Sequence, residues 1–192
     1  MGHDALCGLD LGGGEQIREP DEGVFAVALE LDEASIEALG EQLAQPQLGA
    51  AGRSAVGVRM MQIAWGQRGV CESGQNAGEP LRRYVHPFLP RSGPLPWCAF
   101  FVSWCYLQTT NRKPPWTNPG YVPSVHGWAS QHGKVVRVPL KGDMFGIGGD
   151  HMGIVVQSTR RPQRFVTIEG NTSSGCVRSL ERPWAGHWFA RI

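Results

Sequence analysis

The stretch PLPWCAFFVSWCY, residues 94–106, sets the start of a helix around which the rest of the sequence is interpreted. Pro94 and Pro96 cannot continue a helix backwards, because proline lacks a backbone N–H and its ring clashes with the preceding turn. The apolar residues that follow recur at helical spacing, so we predict a helix from Cys98 to Gln108. Cys98 therefore lies in the first turn of that helix.

Helical patterns come first along residues 51–192 and strand patterns follow. Another helix is predicted to start near Ala55 and to end at Gly66 or Gly69, and residues 113–123 are predicted to form a Pro- and Gly-rich surface loop. Short β-rich runs then alternate with turn residues: VVRVP, DMFGI, HMGIVVQ, RFVTIEG and HWFARI. We predict an α+β fold, with N-terminal helices packed on an antiparallel sheet of about five strands.

The composition divides the chain into two segments. Residues 1–50 hold eleven acidic residues and one basic residue, a charge of −10, whereas residues 51–192 hold six acidic and seventeen basic residues, a charge of +11. In the first segment we predict a strand at Val24–Leu31 and a helix at Asp32–Ala44 that is capped by Asp32. This acidic segment is either a solubilising or interaction segment, or it docks on the basic half.

Several classes of protein are disfavoured by the same composition. No apolar run approaches the roughly 20 residues that span a bilayer, and the N-terminus lacks the pattern of a secretory signal peptide. The basic residues are spread along the chain without a Lys/Arg run, so we expect no nucleic-acid partner.

The chain has five cysteines, an odd number, so at least one thiol lies outside any intramolecular pair. Without a signal peptide, reduced thiols are the expected state. Cys98 and Cys105 cannot pair within one helix, because their Cα atoms would lie about 10.5 Å apart and a disulfide needs about 7 Å or less. Structural zinc is not expected, since C-x6-C and H-x5-H are looser than the usual spacings of zinc ligands.

Two interpretations of Cys98 remain. Cys98, Phe101, Val102 and Cys105 share one helical face, which is typical of a buried core, and packing is the interpretation we adopt for Cys105. At a helix N-terminus, however, unpaired N–H groups and the macrodipole favour a thiolate. Cys98 is therefore a candidate nucleophile, and that role requires a histidine base with a group to orient it.

His151 is the best candidate for the base. It stands at the head of the predicted strand HMGIVVQ, directly after the Gly-rich stretch GIGGD. A hairpin centred near Arg160–Arg161 would bring Glu169 and Asn171 back beside His151, on one face of the returning strand. A carboxylate or amide oxygen at that place would hold the imidazole in the correct tautomer.

The stretches WCAFFVSWC, KGDMFGIGGDHMGIVVQ and VTIEGNTS, in that order, resemble the CHAP family of cysteine- and histidine-dependent amidohydrolases/peptidases. GVCESGQNAGEPLRRYV resembles the segment before the catalytic cysteine in many members. The resemblance covers residues 56–192 and implies a papain-like core, with residues 1–50 as a separate segment. It also implies that the enzyme hydrolyses amide bonds in bacterial peptidoglycan, as an N-acetylmuramoyl-L-alanine amidase or as an endopeptidase.

The resemblance implies roles for particular residues. Cys98 would be the nucleophile, His151 the base, and Glu169 and Asn171 the orienting positions, of which Glu169 is the more usual. No cofactor is implied. Some members bind calcium beside the cysteine, but this chain has no acidic residue between Glu79 and Asp143, so we predict no metal there. Members of the family often have proline directly before the Gly-Asp motif or two positions before it, whereas the sequence here is PLKGD, with Lys141 and Leu140 at those positions.

Candidate substrate-binding residues are less specific. Asn76 lies in the upstream motif, where it is either an oxyanion donor or a loop-capping residue. Trp97, Trp116 and Trp128 either line a glycopeptide groove or belong to the core. Peptidoglycan is the expected partner. A secretion machine or an immunity protein is a further candidate partner. The alternatives are an amidase of small peptide or polyamine conjugates and a non-catalytic wall-binding module. We expect synthesis in the cytoplasm and action at the cell wall.

Overall fold

The structure, a computed structural model, describes residues 29–30, 32–35, 37 and 52–192. Its longer helices are α1 (Ala55–Trp65), α2 (Cys98–Thr110) and α3 (Val122–Gln131), and a single π-helical turn covers Leu81–Val85. Its strands are β1 (Leu29–Glu30), β2 (Val135–Val136), β3 (Met144–Ile147), β4 (His151–Arg160), β5 (Gln163–Glu169), β6 (Arg178–Pro183) and β7 (His187–Ala190).

The strands form one antiparallel sheet in the order β1-β6-β5-β4-β3-β7-β2. Five of the strands contain four residues or more, and β1 and β2 contain two each. The predicted α+β class is confirmed, and the expected number of about five strands agrees with the longer ones. None of the helices in the described residues is long and apolar enough to cross a membrane.

Helices α1 and α2 cover one face of the sheet. They pack on each other and both contact β4, so the main hydrophobic core lies between the helices and the sheet. The face of α2 that the spacing predicts is buried at Cys98, Phe101, Val102 and Cys105. The start of this helix was predicted correctly, and Trp97 is its N-cap residue.

The opposite face of the sheet is covered by a smaller aromatic cluster. Phe145, Phe165 and Phe189 are buried there, and their rings meet edge to face. Thr167 and Glu169 have the same parity along β5 as Phe165, so they lie on this face as well. The side chain of Glu169, the last residue of β5, is therefore on the same face of the sheet as this aromatic cluster.

Two elements differ from the sequence-based expectation. Residues 122–131 form α3 instead of passing directly from a loop to a strand, because Pro123 stands in the first turn, where proline is tolerated. Arg178–Pro183 forms β6, although charged residues and a proline dominate it. The strand VVRVP is reduced to the two residues of β2, at the edge of the sheet.

The acidic N-terminal segment is described only in part. β1 pairs with β6 at the edge of the sheet, within the predicted strand at 24–31. The N–H of Ser35 donates to Asp32 Oδ1 at 2.7 Å, which confirms Asp32 as a helix cap. The rest of the helix predicted at 32–44, the boundary near residue 50 and the docking of the acidic segment lie outside the described residues.

One disulfide contradicts the expectation of reduced thiols. Cys71 and Cys176 are bonded across 105 residues, with their Cα atoms 4.0 Å apart, whereas Cys98 and Cys105 are free and buried. The bond joins the loop after α1 to the loop between β5 and β6. The sequence-based argument failed here because it relied on the N-terminus, and the spacing of Cys71 and Cys176 carries no signal of their proximity.

Candidate active site

Cys98 is the first residue of α2, and only 5% of its surface is exposed. Within the described residues, Trp97 makes no side-chain cap hydrogen bond, so the N–H groups of the first turn keep their donor capacity for another partner. The sulfur lies 3.8 Å from the carbonyl oxygen of Asp150, the residue directly before β4. The thiol is thereby placed beside the head of the strand that carries the candidate base.

His151 is the first residue of β4 and is mostly buried. Its Nε2 atom lies 2.7 Å from Oε2 of Glu169, which is fully buried at the end of β5. Since the carboxylate occupies Nε2, Nδ1 is the ring nitrogen left for the Cys98 thiol. The predicted approach of Glu169 to His151 is thus present, with α2, β4 and β5 each supplying one side chain.

A β-bulge places the carboxylate on the correct face. Near the hairpin turn Arg160 pairs with Gln163, but the register shifts between Val155 and Gln157, after which Ile154 pairs with Ile168. Continuing the shifted register by one residue puts position 153 opposite position 169. Without the shift, Glu169 would face position 154 and point to the other side of the sheet from His151.

Two glycines permit the close approach of these elements. A Cβ atom on Gly153 would lie 2.9 Å from Cγ of Glu169 and 2.7 Å from the carbonyl oxygen of Ile168. A Cβ atom on Gly170 would lie 2.6 Å from the ring of Trp97 and 2.7 Å from that of Phe101. The glycines of the HMG and EGN motifs therefore make room for the carboxylate and for the start of α2.

Glu169 is held by more groups than the sequence argument identified. Arg182, on β6, donates from Nε to Oε1 at 2.6 Å and from Nη2 to Oε2 at 2.7 Å, and the hydroxyl of Thr167 also donates to Oε1. Burial by itself raises the pKa of Glu169, but the hydrogen bonds from Arg182 and His151 outweigh it and lower the pKa to about 2. The carboxylate is therefore ionised at neutral pH.

The same network favours the charged form of His151. Burial by itself lowers the pKa of the imidazole, but hydrogen bonds with Cys98 and Glu169, together with their negative charge, raise the pKa to about 9. An imidazolium between a thiol and a carboxylate is the partner that stabilises a thiolate. The arrangement can therefore supply both a sulfur nucleophile and a proton donor.

Cys105 is the other free cysteine of α2, and its environment differs from that of Cys98. It is completely buried two helical turns away, and burial raises the pKa of its thiol well above the usual range. The interpretation of Cys105 as a packing residue agrees with this environment.

Trp97 and Trp116 are not available to a substrate. Trp97 is buried, stacks on Tyr84 and donates its indole N–H to Glu72 at 3.1 Å. Trp116 is buried and donates to the hydroxyl of Ser103. The prediction that they contact substrate is wrong for both, because each indole N–H has a protein partner inside the core.

Among the described residues, the remaining predicted site residues make no hydrogen bond to Cys98, His151 or Glu169. Trp128 is partly buried between Trp116 and His132 on α3. Asn76 has a φ of 53° in the loop after Cys71, a conformation that suits the loop-capping interpretation. Asn171 has a φ of 58°, and among the described residues its side chain makes no hydrogen bond to His151. Of the two predicted positions, Glu169 is the one whose side chain contacts the His151 ring.

No group of three or more His, Cys, Asp or Glu side chains suited to a metal ion occurs in the described residues. The acid of the Gly-Asp motif, Asp143, is buried and accepts two hydrogen bonds from Arg191, at 2.8 and 2.7 Å. It also accepts from the N–H of Leu140. Asp143 therefore fixes the turn before β3 and has a structural function.

Comparisons with protein-family models, with curated proteins and with solved structures find no match for this chain.

Proposed function

We propose that the protein is a cysteine hydrolase of the CHAP type, with a papain-like core, that cleaves amide bonds in bacterial peptidoglycan. The observation that carries the proposal is the placement of Cys98 at the start of α2 beside His151, whose Nε2 lies 2.7 Å from the buried Glu169. A nucleophile, a base and an orienting carboxylate from three separate elements are what thiol-dependent acyl transfer requires.

In the first step the Cys98 thiolate attacks the carbonyl carbon of the scissile amide. A C–S bond forms, and His151 transfers the proton on Nδ1 to the leaving nitrogen as the C–N bond breaks. The products of this step are an amine and a thioester on Cys98. A water molecule then attacks the thioester and gives its proton to His151. The C–S bond breaks, a carboxylic acid leaves and the thiolate–imidazolium pair is restored.

The oxyanion that develops on the carbonyl oxygen needs hydrogen-bond donors. The backbone N–H of Cys98 is in the first turn of α2, where no intrahelical acceptor exists for it. The positive end of the helix dipole acts in the same direction. We propose this N–H as the first oxyanion donor.

Two further features support a wall polymer as the substrate. A disulfide such as that between Cys71 and Cys176 persists in oxidising compartments outside the cytosol. Peptidoglycan is also found outside the cytosol. The charge of residues 51–192 is +11, which favours association with an anionic polymer. Action at the cell wall is consistent with both.

The proposal is tested by incubating purified peptidoglycan with wild type, with Cys98→Ala and with Cys105→Ala, followed by mass spectrometry of the soluble products. Cys105→Ala is the matched control, because it removes the other free buried thiol among the described residues. We expect products from wild type and from the control only. The bond cleaved distinguishes an amidase from an endopeptidase. Absence of products, or products from Cys98→Ala, would overturn the proposal.

A further inference from the structure

The carboxylate of Glu169 lies between two cations and is completely removed from solvent. Oε2 accepts from His151 at 2.7 Å and from Nη2 of Arg182 at 2.7 Å, while Oε1 accepts from Nε of Arg182 at 2.6 Å. A two-point contact of this kind fixes the plane of the carboxylate as well as its position. The direction of Oε2 towards Nε2 is therefore set by the guanidinium.

Arg182 is itself held rigidly. It pairs in register with Phe165 on the neighbouring strand β5, so its side chain runs along the sheet face that carries Glu169. Only 11% of the side chain is exposed, and the guanidinium lies 5.9 Å from the ring of Phe145. Because both groups are buried, loss of Glu169 would leave the guanidinium without its carboxylate, and loss of Arg182 would leave the carboxylate with His151 and the Thr167 hydroxyl.

The charge of His151 changes during the proposed reaction, whereas the charge of Arg182 does not. When His151 has given its proton to the leaving amine, the imidazole is neutral and Glu169 retains its contact with the Arg182 guanidinium. Other titratable or charged groups beside this pair include the Cys98 thiol from α2, His187 from β7 and Arg178 of β6, which pairs in register with Glu169. Burial lowers the pKa of His187.

We propose that Arg182 is a positioning residue of this site, which keeps Glu169 ionised and aligned on His151 in both charge states of the imidazole. The inference rests on the reaction proposed above. It adds a member from β6 to the residues that the CHAP resemblance implies, and it assigns the guanidinium a function in both half-reactions, since each of them needs Glu169 as an anion.

The proposal predicts opposite effects for two substitutions. Removing the positive charge of Arg182 takes away a cation that repels the imidazolium, so His151 binds its proton more tightly and titrates at higher pH. Removing the negative charge of Glu169 leaves Arg182 facing the imidazole, so His151 titrates at lower pH. A residue that only stabilises the sheet would shift neither midpoint in this opposed manner.

The experiment is an NMR titration of the His151 ring in a Cys98→Ser background, which removes the coupled titration of the thiol. Arg182→Gln is expected to move the midpoint upward by about one pH unit, and Glu169→Gln to move it downward by at least as much. Arg182→Lys keeps the charge and is expected to stay near the reference. Arg164→Gln is the matched control, because Arg164 forms an ion pair with Glu181 on the same two strands, outside the site.

An unchanged or lowered midpoint in Arg182→Gln, with the fold intact by circular dichroism, would overturn the proposal. If Arg182→Gln does not fold, Arg182→Lys decides the matter: in the Cys98-containing enzyme it must retain the wild-type pH profile of thiol alkylation, and a changed profile would overturn the inference. Neither measurement uses peptidoglycan. A failure of the proposed substrate and a failure of the role of Arg182 are therefore distinguishable.

Discussion

The disulfide between Cys71 and Cys176 provides a quantitative test of the fold. It closes a loop of 105 residues, and in the chain-entropy treatment a loop of that size restricts the unfolded chain by about 4.7 kcal/mol. Replacing both cysteines by serine is therefore expected to lower the free energy of unfolding by about 2–5 kcal/mol, the measured range for native disulfides in small domains.

The assay is equilibrium unfolding in urea, monitored by tryptophan fluorescence. Cys98→Ala is included in every protein, so that the candidate nucleophile cannot exchange with the disulfide. The double serine variant should unfold at a lower urea concentration than its oxidised parent, and the parent with added reductant should behave like the variant. Serine in place of Cys105 is unsuitable as a control, because that site is completely buried.

The disulfide also borders the site. The N–H of Glu72 donates to the carbonyl oxygen of Gly175 at 2.9 Å, and the carboxylate of Glu72 accepts from Trp97, the residue before Cys98.

An unfolding midpoint that is equal in the oxidised parent and in the double serine variant would refute the calculation. Detection of four alkylatable thiols among Cys71, Cys98, Cys105 and Cys176 in unfolded, unreduced wild type would refute the disulfide itself.

Three further predictions follow from individual contacts. Gly153→Ala should reduce hydrolysis strongly and cost about 1–3 kcal/mol in denaturant unfolding, since its Cβ would collide with Glu169; full activity would contradict the packing argument. Asp143→Asn should lower the free energy of unfolding by roughly 1–3 kcal/mol, because Arg191 and Leu140 lose a charged acceptor. The folded enzyme should keep its turnover number. His151 should stabilise the fold fully below pH 6.5, and about 3 kcal/mol should be lost as the pH rises through about 9, a decrease that His151→Asn must lack.

The hairpin of β4 and β5 shows how far sequence reasoning reaches. Alternating β-rich residues on both sides of a turn predict the hairpin that returns the chain at Glu169 to the head of β4. The bulge between Val155 and Gln157 decides which face Glu169 occupies, and nothing in the local sequence indicates it. The prediction of the pair therefore depended on a register that only the structure specifies.

Arg182 is not predicted from the sequence for a different reason. Arg182 lies in the stretch RSLERP, whose charged residues and proline are typical of a loop, so its strand was not recognised. A buried carboxylate does require a cation, and that requirement was the available signal. The partner could not be chosen from sequence, because several arginines follow Glu169. The register of β5 with β6 even pairs Glu169 with Arg178, whereas the side chain that reaches the carboxylate is that of Arg182, which pairs with Phe165.

The start of α2 was predictable because proline acts locally. Pro94 and Pro96 restrict the backbone directly before Cys98, and Trp97 is the N-cap residue. The tryptophans were less predictable, since an indole suits a core and a binding groove equally well. Trp97 and Trp116 were decided by their buried hydrogen-bond partners, which are distant in sequence.

The central claim is that Cys98 is a nucleophile activated by His151. It is tested most directly by the rate of Cys98 alkylation by iodoacetamide between pH 5 and pH 10, in wild type and in His151→Ala, with the labelled residue identified by mass spectrometry. The account predicts rapid labelling of wild type well below pH 8 and a loss of that labelling in His151→Ala. If both proteins label with the midpoint of an ordinary thiol, about pH 8.5, the account is contradicted.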